Sequence, residues 1–427
     1  MHRRHATAAI VIGACLASAA CSGGGRDDAG RSAAAAPASA AADVERSAPT
    51  VQDLNAPAGP GSMSANLARA NDGGLVLTWI EPLAPRGHAL KMSAYSDGAW
   101  SEARTIATGR DWFVTQADVP TVAVLTDGTL VASWLANHVA GTEAANIHLS
   151  RSTDGGATWT APVIPHRDRH AVQHGFLSLV PAPSGALEAL WLDGRQTSGA
   201  AGHGHGGDMA LMHATIAADG TVGAETMLDG RVCDCCPVSA AATAGGVLAV
   251  YRDRSEQEVR DISIVRHANG AWSRPEPLTK DAWQINACPV NGPEISVSGA
   301  HVAVAWFTAA SNEARVQAML SADGGRTFGA PVRIDASRPA GRVDVVSLSE
   351  GGALVSWVER AEHGPEARVR HVTPRGVAAP VSISSPAIVA AGAAPRMQPL
   401  ANGDVVVAWT EAGKPTRVRA TILRWTR

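Results

Sequence analysis

One phrase recurs seven times along this chain and limits the folds open to it: an alternating strand, a turn containing glycine, and a second strand closing on an aromatic residue. The copies are ANLARANDGGLVLTW to Trp79, PTVAVLTDGTLVASW to Trp134, FLSLVPAPSGALEALW to Trp191, VSAAATAGGVLAVY to Tyr251, PEISVSGAHVAVAW to Trp306, DVVSLSEGGALVSW to Trp357 and RMQPLANGDVVVAW to Trp409, at intervals of 51 to 60 residues. A polar loop follows each aromatic, then a third alternating strand such as NIHLSRS or RVQAMLS, a turn, and a fourth short strand such as APVIP or APVRID. Four strands per repeat make a propeller blade. The seventh repeat ends at Arg427 after its third strand, and Val51 to Leu54, ahead of the first repeat, supplies the missing one. The sequence therefore predicts an all-β propeller over residues 44–427, of seven four-stranded blades, or six if one repeat is incomplete, with the ring closed by an N-terminal strand.

Composition fits such a body. Of 427 residues, 43 are Gly and 25 Pro, and only 18% are charged, which excludes a disordered chain and a coiled coil. A net charge of −3 argues against nucleic acid as a partner. The N-terminus has a basic MHRRH followed by apolar ATAAIVIGACLASAA and a cysteine, the pattern of a secretory signal. It resembles a bacterial lipoprotein signal over residues 1–20. The resemblance implies Cys21, after Ser-Ala-Ala, as the lipidated residue, with Cys15 as the alternative. Residues 21–43, rich in Gly, Ala, Ser and Pro, read as a flexible tether. The expectation is a monomer, lipid-anchored in the bacterial cell envelope on its periplasmic or extracellular face.

Two turns between third and fourth strands share S-x-D-x-G-x-T-[WF]: Ser152, Asp154, Gly156 and Trp159 in one, Ser321, Asp323, Gly325 and Phe328 in the other. They resemble the Asp-box, or BNR repeat, of sialidase-like propellers. The aspartate can accept bonds from its own turn and glycine supplies positive φ, so the role expected of these residues is structural.

Propeller topology puts the loops joining strands two to three, and four to the next blade, at one mouth. That mouth collects residues 110–120, 166–175, 193–208, 230–238, 252–261 and 286–293, the unusual segments of the sequence. Cys233, Cys235, Cys236 and Cys288, the cysteines beyond the N-terminal region, all fall there. Two disulfides are one reading, though the Cys-Asp-Cys-Cys spacing leaves room for only one unstrained bridge. Another is a soft-metal site for copper or zinc, with the four sulfurs joined by His174, His203 and His205, and a third is a single structural disulfide beside a reactive pair.

Arg252, Arg342 and Arg396 lie toward the same mouth and can clamp a carboxylate bidentately. Resemblance to sialidases implies an arginine triad, a tyrosine nucleophile and an aspartate acid, here Asp111 or Asp118. The sequence departs where the family carries an arginine in the first blade, reading Gly61-Ser-Met-Ser-Ala-Asn-Leu67, and Tyr95 and Tyr251 are its only tyrosines. Two functions stay open. The loop-rich mouth binds a small anionic ligand, a soft metal or a partner protein through its Cys, Arg and His loops, or it hydrolyses anionic sugars as an exo-α-sialidase-like glycosidase.

Overall fold

The computed structural model describes residues 48–197, 207–385 and 387–425. Seven antiparallel sheets follow one another in chain order, so the count is seven blades. Their first strands are Met63–Arg69, Val122–Val124, His174–Pro181, Ser239–Thr243, Glu294–Ser298, Pro339–Ser347 and Arg396–Pro399. Each touches the first strand of the next blade, and the seventh touches the first, which closes the ring around a central channel. Blade 2 has three strands, its fourth being reduced to a bridge between Leu149 and Val163. In blades 1, 4 and 6 the fourth strand is split into two short pieces. Thr50–Asp53 pairs antiparallel with Arg417–Arg424, Val51 opposite Leu423, so the N-terminal strand completes blade 7.

Second strands are buried on both faces, as in Leu130–Asn137 and Gly246–Arg252, because each blade is covered by neighbours on two sides. The seven repeat aromatics sit one per blade interface. Trp79 packs with Val406 of blade 7, Trp134 with Leu90 of blade 1, Trp191 with Leu125 of blade 2 and Tyr251 with Leu190 of blade 3. Trp306 meets Ile262, Trp357 meets Ala303 and Trp409 meets Val358 in the same way. Each side chain withdraws apolar surface worth roughly 2–3 kcal/mol.

A buried indole N–H needs an acceptor, and an acid two residues on often provides it. Trp79 Nε1 donates to Glu81 at 2.7 Å, Trp191 Nε1 to Asp193 at 2.8 Å and Trp357 Nε1 to Glu359 at 2.7 Å. Trp306, with Phe307 and Thr308 after it, uses Asp281 of the preceding blade instead, at 2.8 Å.

Both Asp-box turns have the same internal bonding. Asp154 accepts from Ser152 Oγ at 2.8 Å, Thr158 N at 2.9 Å and Thr158 Oγ1 at 2.6 Å, while Ser152 Oγ accepts Gly156 N at 2.8 Å. Asp323 repeats the pattern with Ser321 and Thr327. The Thr158 and Thr327 hydrogen bonds hold the two carboxyls below the usual carboxylate range. Trp159 and Phe328 pack partly buried against the cores of the blade 1–2 and blade 4–5 interfaces. Gly325 has φ of 80°, and a Cβ there would meet Leu248 Cδ1 at 2.3 Å in the neighbouring blade. Gly325→Ala is expected to cost about 1–3 kcal/mol through left-handed strain and overpacking, read as a lowered urea midpoint at unchanged slope.

Candidate functional site

A polar belt runs around the inner strands, with at least one side-chain hydrogen bond at each blade joint. Asn66 Nδ2 donates to Pro120 O at 3.2 Å, Asp118 Oδ2 accepts Phe176 N at 2.6 Å and Ser178 Oγ accepts Ala240 N at 3.1 Å. Ser239 Oγ accepts Ile295 N at 3.2 Å, Ser296 Oγ accepts Ser347 N at 2.9 Å and Asp344 Oδ2 accepts Met397 N at 2.6 Å. The seventh joint closes through Ser62 Oγ, which accepts Val418 N at 2.8 Å. A hydroxyl or amide serves at five joints and a carboxyl at two, Asp118 and Asp344.

All of these belt side chains except Ser62 line a cavity of about 240 Å³ in the central channel, together with Glu294, Arg396 and Gln398. Three of the inner strands reach it through a register bulge: between Met63 and Asn66, between Gly175 and Ser178, and between Gly341 and Asp344. Each bulge holds a non-glycine residue at positive φ, Ser64 at 58°, Phe176 at 53° and Arg342 at 57°. Two residues later in each case stands the belt residue, Asn66, Ser178 or Asp344. Bulges re-aim side chains, and strain of roughly 1–3 kcal/mol per residue persists only where the surrounding structure enforces it.

Burial sets the electrostatics. Asp118 is 8% exposed and its carboxyl is pushed up to about 7 by desolvation, against the opposing effect of the Phe176 N–H. Burial also raises Asp344, and the adjacent Glu294 charge adds to it, while Arg396 and the N–H groups of Met397 and Val345 oppose it. Arg396 Nη1 is bonded to Glu294 Oε1. Burial disfavours the Arg396 cation, but Glu294 and Asp344 outweigh that and hold it protonated. The cavity thus carries three carboxyls to one guanidinium.

Of the five residues expected to be catalytic, the structure brings together Asp118 and Arg396. Asp111 is exposed, 3.2 Å from Arg86, in a separate surface cleft with Asn137 and Glu143. Arg252 is fully buried and donates to three backbone carbonyls, Asn291 at 2.8 Å, Arg260 at 2.6 Å and Phe307 at 2.6 Å, with its guanidinium 4.8 Å over the Trp283 ring. It holds loops together and is not among the residues that line the central cavity. Arg342 has its N–H on Asn291 Oδ1 at 2.8 Å, and its half-buried side chain has no ion partner among the described residues. Tyr251 is buried, does not line the central cavity and donates to Asp229 at 2.7 Å; burial and that carboxylate raise its hydroxyl. The sequence reading missed Glu294 and Asp344. Glu294 directly follows the loop NACPVNGP, and Asp344 is a lone acid in an apolar strand, the two signals that could have found them.

The four sulfurs are paired as Cys233–Cys236 and Cys235–Cys288, two bridges where the spacing left room for one. In this form none is a thiolate. His174 does not join them. It is fully buried, with Nδ1 on Ala145 O at 3.1 Å and Nε2 on Asp168 at 3.1 Å, 3.7 Å from Asp193 and stacked on His166 at 3.8 Å. Asp168, His174 and Asp193 form a separate group of close ligand atoms. Burial and the His174 charge push the His166 imidazole down to about 3, so it is neutral. Asp193 is already saturated by Arg195 and Trp191. His203, His205 and Cys21 lie outside the described residues.

Residues 89–286 match the family described as BNR repeat-like domain. No curated protein matches the chain in sequence. A Dyadobacter fermentans protein of unknown function has the same fold at 16% identity and TM-score 0.50, over 90% of this chain and 99% of that one. An α-L-arabinanase from Penicillium chrysogenum is similar at 12% identity and TM-score 0.46, covering 88% and 98%. The NanB sialidase from Streptococcus pneumoniae is similar at 10% identity and TM-score 0.45, covering 89% and 70%. At such identities the likeness is one of fold.

Proposed function

We propose, from the premise that this chain is a sialidase-like BNR-repeat propeller, that its central cavity takes one sugar residue and hydrolyses a glycosidic bond. The carrying observation is the carboxyl set. Glycoside hydrolysis needs one carboxyl protonated and another ionised beside the same bond. Burial keeps Asp118 and Asp344 available as acids near neutrality, while Glu294 is ion-paired with Arg396. Asp118 or Asp344 is the proton donor and Glu294 the base or nucleophile. At about 240 Å³ the cavity is smaller than the ~300 Å³ at which drug-sized ligand sites begin, which favours action at a chain end.

Charge points to a neutral glycoside. Three carboxyls face one guanidinium whose charge Glu294 already balances, a poor setting for a substrate carboxylate. A second reading rests on Arg342, a partly desolvated cation that makes no ion pair with a described residue. An anionic substituent or ligand at the mouth would pair with it bidentately.

The test is a panel of aryl glycosides, sialosides included, against the unsubstituted protein. Turnover of neutral glycosides supports the first reading. Turnover confined to the sialoside, falling roughly 10–100-fold in Arg342→Ala through loss of a charge-assisted pair, supports the second. No turnover of any member overturns hydrolysis and leaves a binding protein.

A further inference from the structure

The cysteine loop has a feature that loop stapling does not require. The two disulfides interlace: Cys233–Cys236 and Cys235–Cys288 draw three of their four sulfurs from one tetrapeptide. Cys233 Sγ and Cys235 Sγ, which belong to different bridges, are 3.9 Å apart. Arg260 Nη1 faces Cys233 Sγ at 3.3 Å. That guanidinium is itself buried, is held by Asp234 at 3.4 Å and Glu258 at 3.0 Å, and has an Nε with no acceptor among the described residues. A cation beside a sulfur favours the thiolate, the form that attacks disulfides. Exposure is graded as well. Cys233, Cys235 and Cys236 are 1–2% exposed, while Cys288 is only partly buried, beside exposed Asn286 and Ala287.

We propose that this loop is a thiol–disulfide exchange centre, entered by an external thiol at Cys288 and relayed inward through Cys235 to Cys233. The external thiolate attacks Cys288 Sγ, forming a mixed disulfide and releasing Cys235 as thiolate. Cys235 then attacks Cys233 Sγ, forming Cys233–Cys235 and releasing Cys236 as thiolate. A second external thiolate attacks the external sulfur of the mixed disulfide, forming the external disulfide and freeing Cys288. Two external thiols are oxidised and the protein gains two electrons, held as the Cys236 and Cys288 thiols. Arg260 stands beside Cys233, the central sulfur between the incoming Cys235 thiolate and the departing Cys236 thiolate.

The relay ends at the wall of the central cavity. Cys236 precedes Pro237, which lines that cavity, and Gly292 packs so closely on Pro237 that a Cβ would lie 2.1 Å from its carbonyl oxygen. Exchange therefore works on the two loops that lead into Ser239 and Glu294.

Cys288→Ser isolates the inner step, because it leaves three of the four loop cysteines and one free thiol among them. The purified full-length variant is quenched in acid, unfolded, alkylated with N-ethylmaleimide and mapped by peptide mass. Exchange divides the label between Cys235 and Cys236, raising Cys236 from no label to a share comparable with Cys235. Label confined to Cys235 overturns the relay. The unsubstituted protein gives a second, independent measurement under native conditions with reduced glutathione. A glutathione adduct on Cys288, followed by a Cys233–Cys235 linked peptide, is expected. Four sulfurs that stay unreactive until denaturant is added overturn the proposal and make both bridges staples.

Discussion

Asp118→Asn and Asp344→Asn are both expected to make the propeller more stable above neutral pH, and the one of them that removes the proton donor is expected to cut glycoside hydrolysis sharply. The loss follows from removing the proton donor, about 10²–10⁴-fold in kcat. Both variants are needed, since the donor is one of the two. The gain in stability follows from the sign of the shift. Burial raises the Asp118 carboxyl from 3.8 to about 7, so between those values the folded chain binds a proton that the unfolded chain does not. The resulting stabilisation is complete below pH 4, is lost as pH rises toward 7, and stays lost above. An amide keeps the bond to the Phe176 N–H and cannot ionise, so it escapes that penalty, at most ~4 kcal/mol at one unit per 1.36 kcal/mol. Denaturant unfolding at pH 5 and pH 8.5 checks it. The variants should exceed the parent at both, by roughly 1–2 kcal/mol at the lower pH and by up to ~4 kcal/mol at the higher. Full activity in both, with a stability difference independent of pH, would remove these carboxyls from the chemistry and leave them as belt residues.

The same two residues show what a sequence can and cannot disclose. The seven-bladed ring is legible because each blade repeats its own pattern locally, and the closing strand is legible because blade 7 lacks a fourth strand in the sequence itself. The site is not local. Asp118, Glu294, Asp344 and Arg396 come from four blades and meet only because the ring closes, so no spacing connects them. Asp344 also sits in Arg-Val-Asp-Val-Val, where alternation suggests a solvent-facing acid. In an inner strand the outward side is the channel, and the bulge ahead of Asp344 turns its side chain into it. The cysteines failed differently. Their position at one mouth was visible, but pairing depends on how closely residues 286–293 approach residues 233–238, which Gly292 permits and its neighbours in sequence do not advertise.

Arg252 illustrates the opposite error, and its substitution has the largest expected effect on stability. A run of Tyr-Arg-Asp-Arg at the end of a strand reads as a charged rim, yet the Arg252 guanidinium is 1% exposed. Its three donors satisfy carbonyls from three segments: the loop before blade 5, the loop at Arg260 and the second strand of blade 5. Desolvation lowers its basicity to about 9, still high enough to keep the cation at neutral pH. Arg252→Met retains much of the volume and the packing on Trp283 but leaves three buried carbonyls without donors. The expected cost is about 3–5 kcal/mol, the range for breaking a buried charged group from its partners. Arg252→Lys should recover only part, because an ammonium cannot span three acceptors held in a planar fork. Two readouts separate this role from the catalytic one its sequence position suggested. Urea unfolding should report the loss in full, while turnover per folded molecule should stay near the parent value, since the side chain does not line the cavity. Loss of turnover at unchanged stability would return Arg252 to the active site. The loop carrying Cys288 is tied to Arg252 through the Asn291 carbonyl, so the methionine variant should also react faster with glutathione at Cys288, linking the buried arginine to the access of the exchange centre.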